Sequence, residues 1–111
     1  MSEYHPDAWV LLKIVHPSET TYKVMGGWYG GYLGCDSWRL CSGIVRIELV
    51  GDMYEIHNYS GSIYYCQKDI ERFTGLMSSV VMGWEELIKA EPESKIKIEV
   101  VDMETYYAKQ K

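Results

Sequence analysis

Apolar and polar residues alternate with period two from residue 44 to residue 67, with breaks at Gly51-Asp52 and Ser60-Gly61. Period two places successive side chains on opposite faces of a strand, and a Gly-containing pair between two such runs closes a hairpin. The pattern therefore predicts a three-stranded antiparallel meander. Two-residue turns set residue 50 opposite 53, 47 opposite 56, 59 opposite 62 and 57 opposite 64. In that register Val45, Ile47, Leu49, Tyr54, Ile56, Ile63 and Tyr65 face the core. Arg46, Glu48, Glu55, His57, Tyr59, Tyr64 and Cys66 form the solvated face.

Residues 8–16 are apolar on both faces and end at Pro17, as a central strand does. A second extended stretch runs from Thr21 to Trp28 and overlaps the glycine-aromatic segment Gly26 to Trp38, which suits a strongly bent strand or an ordered loop. Leu76, Val80, Val81, Trp84, Leu87 and Ile88 recur at helical spacing, with Ser78 or Ser79 as the cap and Pro92 as the stop. Lys95 to Asp102 alternates as a last strand, with Ile96, Ile98 and Val100 on one face, and residues 103–111 form a polar tail expected to fray. These segments predict one mainly β domain over residues 1–111, a small, strongly bent antiparallel barrel or half-barrel of SH3-like or Sm-like kind. A helix from the C-terminal half covers its opening. The alternative is a two-layer α+β sheet.

Composition narrows the function classes. The 111 residues carry 16 acidic and 11 basic side chains, a net charge of -5, which argues against nucleic-acid binding through a basic surface. No apolar run reaches the roughly 20 residues of a membrane span, and the N-terminus has no signal-peptide pattern, so no membrane partner is expected. Three cysteines without that pattern fit reduced thiols in a cytoplasm.

Two groups of residues have chemical potential. On the solvated face, Arg46, His57 and Tyr64 share one cross-strand row and Glu48, Glu55 and Cys66 the next, bringing a carboxylate pair, an imidazole and a thiol within mutual reach. Such a set suits a metal or acid-base site, although Arg46 neutralising one Glu on an ordinary wet sheet face explains the same pattern. The cysteines Cys35, Cys41 and Cys66 have no zinc-type spacing, and neither a metal nor a cofactor is expected. The second group, Trp28, Tyr29, Tyr32 and Trp38, is either an aromatic platform for a ligand or a set of core rings packed over glycines.

The run Gly26-Gly27-Trp28-Tyr29-Gly30-Gly31-Tyr32-Leu33, with Asp36-Ser37-Trp38-Arg39, Ser42-Gly43-Ile44 and Tyr59-Ser60-Gly61-Ser62-Ile63-Tyr64-Tyr65-Cys66, resembles small proteins of marine tailed phages, of the kind that infect cyanobacteria. The resemblance implies a host-cytoplasm setting and an accessory role, and brings no activity or catalytic residue with it. With no complete catalytic motif, the expectation is a non-enzymatic binding or assembly module, with a homo-oligomer or an unidentified protein or small molecule as partner. The alternatives are a small metal- or thiol-dependent enzyme on the meander's wet face and an Sm-like RNA-binding protein.

Overall fold

The computed structural model describes residues 2–31 and 34–110. In chain order its elements are β1 (Glu3–Tyr4), β2 (Ala8–Val15), β3 (Thr20–Trp28), β4 (Ser37–Leu40), β5 (Ile44–Val50), β6 (Met53–Asn58), β7 (Ile63–Gln67), α1 (Gly75–Ala90), β8 (Lys97–Val101) and α2 (Met103–Lys109). The strands form two four-stranded sheets, ordered β1-β7-β6-β5 and β4-β3-β2-β8. The fold is mainly β, and among the described residues no strand pairing closes the two sheets into a barrel.

β2 explains the layering. Ala8, Trp9, Val10, Leu11 and Leu12 are all buried, because β2 lies between β3 and β8 and is covered on both faces. Its odd-numbered side chains Trp9 and Leu11 meet Tyr54, Ile56, Tyr64 and Cys66 of the first sheet. Its even-numbered side chains Val10 and Leu12 meet Met77 and Val81 of α1. The molecule is thus three layers deep: sheet, sheet, helix. The Trp9 indole N–H ties the two sheets by donating to the Gln67 carbonyl across 2.7 Å.

β5 and β6 pair in the expected register, Glu48 opposite Glu55 and Arg46 opposite His57. Gly51, at φ 62°, begins their two-residue turn. A bulge between Ile44 and Arg46 turns Val45 outward, so this expected core residue is 53% exposed.

β7 departs from expectation. His57 pairs with Ile63 and Ile56 with Tyr64, one residue away from the register that a two-residue turn imposes. The loop has three residues, Tyr59 to Gly61: Asn58 N–H bonds the Ser62 carbonyl, Gly61 N–H bonds the Asn58 carbonyl, and Gly61 sits at φ 90°. A one-residue slip inverts a strand. Tyr64 and Cys66, expected on the wet face, are buried in the core, while Ile63 and Tyr65 take the outer face.

Helix α1 begins earlier than expected. Thr74, not a serine, is its N-cap and accepts from Met77 N–H at 3.1 Å. Met77 is fully buried, whereas Leu87, expected in the core stripe, is 69% exposed. Gly27 of β3 makes the approach possible, because a Cβ there would collide with Met77 and Thr74 side-chain atoms. In place of a frayed tail, residues 103–109 form α2. Asp102 caps it, and Met103, Tyr106 and Tyr107 pack into the core between the sheets.

Candidate functional site

The outer face of the first sheet holds a polar cluster built by the β5–β6 register. Glu48 and Glu55 stand opposite each other, and His57 is one pair along, on the same side. His57 Nε2 lies 3.1 Å from Glu48 Oε2 and 3.6 Å from Glu55 Oε1, and Arg46 Nε lies 3.6 Å from the same Glu48 oxygen. The Nε2 atom is shielded from solvent, and neither carboxylate oxygen lies in hydrogen-bond alignment with it. Four expected site residues therefore converge: Arg46, Glu48, Glu55 and His57. Tyr64 and Cys66 do not, because the slip at β7 puts them on the opposite face of the sheet. Burial raises the Cys66 thiol well above its ordinary value, so it carries no thiolate to act as ligand or nucleophile there. Tyr65 replaces them beside Glu55, with His5 stacked on its ring at 4.7 Å and its hydroxyl donating to Glu3 across 3.3 Å.

The aromatic group does not form one platform. Trp28 points toward the first sheet, packs edge-on to Tyr4 at 6.2 Å and donates its indole N–H to the His5 carbonyl. Trp38, on β4, lies on the other side of the second sheet from Trp28, opposite Gly27, and meets Trp84 of α1 at 5.5 Å. Tyr29 is 50% exposed in the loop, and Tyr32 lies outside the described residues. Carboxylates hold the start of that loop: Asp7 accepts from Tyr29 N–H and Asp36 from Gly30 N–H, each at 2.9 Å.

A third site was not apparent from the sequence. The two sheets part along the seam between β4 and the β1–β7 edge, leaving a cleft of about 390 Å³. Tyr4, Arg39, Ser42, Ser60, Ser62 and Tyr64 line it. β4 pairs Arg39 with Gly26, which aims the guanidinium to the inner side, where it covers the Tyr4 ring at 4.7 Å. Among the described residues, no carboxylate lies within ion-pair distance of it. Ser42 Oγ is 3.0 Å from Ser60 Oγ, and Ser60 Oγ is 3.0 Å from Ser62 Oγ, forming a chain of hydroxyls. Burial holds the Tyr64 hydroxyl protonated, well above its ordinary value, so it reaches the cleft as a neutral group. The sequence signal for this cleft is only a Ser-Gly pair in each of two loops, Ser42-Gly43 and Ser60-Gly61. Their meeting depends on the pairing of distant strands.

No helix of the described residues is long and apolar enough to cross a membrane. No known protein family, curated protein or solved structure matches the chain.

Proposed function

We propose that this protein is a non-enzymatic binding module whose ligand sits in the cleft between its two sheets. The observation carrying this reading is the Arg39 guanidinium, with no carboxylate partner among the described residues, lining the same cleft as a chain of three serine hydroxyls. A planar cation beside hydroxyl donors suits a carboxylate or phosphate group, which accepts from both. The volume, about 390 Å³, is within the usual range for small-molecule sites. Among the described lining residues there is no histidine or carboxylate to take a proton from a serine, and burial raises the Cys41 thiol above its ordinary value. Both features favour binding over nucleophilic catalysis.

Assembly through strand addition has less support. Of the edge strands β1, β5, β4 and β8, β5 carries a bulge at Val45 and the charges of Arg46 and Glu48, features that discourage edge pairing. RNA recognition in the Sm-like manner draws no support from one guanidinium in a chain of net charge -5. Taken as an SH3-like or Sm-like half-barrel, the fold is by analogy a scaffold open to many binding uses. The resemblance to phage proteins adds, within the same proposal, the cytoplasm of an infected host as the setting.

The test is a heteronuclear NMR titration of the whole protein with orthophosphate, acetate and glucose. Saturable shifts centred on Arg39, Ser42 and Ser60 with an anion, absent with glucose and lost in Arg39→Ala, are the expected result. Saturable shifts with glucose alone, or anion shifts that persist in Arg39→Ala, would overturn it. So would a protein that responds to none of the three.

A further inference from the structure

We propose that Glu48, Glu55 and His57 bind one zinc-class divalent ion on the outer face of the first sheet. The site is separate from the cleft, on the opposite side of that sheet. Its ligand atoms, one from each residue, all lie within 4.8 Å of one another. Around a zinc ion bound at about 2.0–2.2 Å, tetrahedral neighbours stand about 3.4 Å apart. The two contacts from His57 Nε2, 3.1 Å and 3.6 Å, bracket that spacing.

A second observation concerns the surroundings of the nitrogen. Among the described residues, His57 Nε2 is buried and has no hydrogen-bond partner, although two carboxylate oxygens flank it. Those oxygens stand off the axis along which a ring nitrogen donates or coordinates, as the neighbours in a coordination shell do. If Nε2 carries a lone pair, three acceptors converge on a point that needs a cation. The opposed carboxylates Glu48 and Glu55 add to this, since like charges directly across a strand pair repel and Arg46 approaches only the Glu48 side. Two carboxylates and a neutral imidazole neutralise a divalent charge.

The donor set selects the ion. An imidazole nitrogen suits zinc and its transition-metal neighbours, whereas magnesium and calcium take oxygen shells. Three protein ligands leave one position for water, on the side where Glu48 is 53% exposed. Arg46 competes, because its Nε approaches the Glu48 oxygen that also faces His57. β5 and β6 hold all three ligands on adjacent, paired strands, so little ordering is left for the ion to impose.

The experiment is calorimetric titration of untagged, chelator-treated protein with zinc and, separately, magnesium. A Cys35→Ser background removes the exposed thiol as a rival ligand. One equivalent of zinc is expected. His57→Ala and Glu55→Gln should each weaken binding by more than about tenfold, at least the loss that a mere outer-shell change brings. Arg46→Ala should tighten it by up to about fivefold, the most an exposed ion pair is worth. Glu48→Gln, at an exposed side chain the fold does not rest on, repeats the ligand test if the inner variants fail to fold. Zinc affinity unchanged in His57→Ala or Glu48→Gln would overturn the proposal, as would magnesium binding of equal strength. Absence of stoichiometric zinc would overturn it too.

Discussion

Gly61 decides which face of β7 enters the core. Its φ of 90° closes a three-residue loop, and a Cβ there would meet nothing within 4 Å, so the cost of a side chain falls on the backbone alone. Gly61→Ala should therefore lose about 1–2 kcal/mol of unfolding free energy. Urea denaturation measures it, and an unchanged midpoint would mean that the loop relaxes to another turn. The alternation of β7 was legible in the sequence, but its face was not, because Ser60-Gly61 fits a two-residue and a three-residue loop equally well. From that single residue of register follow the loss of Tyr64 and Cys66 from the wet face and the gain of Tyr65. The thiols provide a second check. Cys41 and Cys66 are buried, with pKa values raised by burial, while Cys35 is exposed. A thiol reagent should modify one cysteine of the native protein promptly and the other two only on unfolding. Prompt reaction of all three would contradict the β7 register.

Among the elements, α2 depends most on titratable side chains. Asp102 accepts from the Thr105 hydroxyl at 2.8 Å and from its N–H at 3.0 Å, and Glu71 accepts from Met103 N–H at 3.0 Å. The Thr105 bonds lower the Asp102 pKa from 3.8. Its contribution is thus present above the unfolded value and lost as pH falls through the folded one. Glu71 behaves oppositely, since burial raises its pKa from 4.5. Its ionisation weakens the fold as pH rises from 4.5 through the folded value. Asp102→Ala should cost about 1 kcal/mol at neutral pH, the usual worth of an N-cap, with the difference shrinking below pH 4. Glu71→Gln keeps an acceptor for Met103 and should gain on the parent as pH rises through the acid range. Thermal melts from pH 3 to 7 check both, and parallel curves for parent and Glu71→Gln would refute the second. The sequence concealed α2 because its apolar residues, Met103, Tyr106 and Tyr107, sit among charges and cover only one turn-spaced stripe. It revealed α1 because that helix repeats its stripe over 16 residues. The stripe was still misplaced by part of a turn, since Met77 docks on Gly27, a contact made across 50 positions that local periodicity does not encode.

At the scale of the molecule, β2 belongs to two cores at once. Its two-sided apolar run was readable directly, but which partners covered each side was not: the first sheet and α1 are assembled from residues 3 to 90. Trp9 and Leu11 anchor the inter-sheet core, while Val10 and Leu12 anchor the helix core, all on one backbone. Unfolding one layer therefore removes a wall of the other. Leu12→Ala deletes apolar volume only on the helix side and should cost about 2–5 kcal/mol. The informative quantity is where that loss is felt. β6 makes no contact with Leu12 in either apolar cluster and lies in the opposite sheet, so its slowest amides report whether the layers separate. Because β2 ties the layers together, native-state hydrogen exchange should show β6 and β3 amides losing protection by the same free energy in Leu12→Ala. If β3 loses protection while β6 keeps the parent value, the first sheet holds its structure without the helix layer, and the cleft between the sheets is not framed by a single cooperative unit.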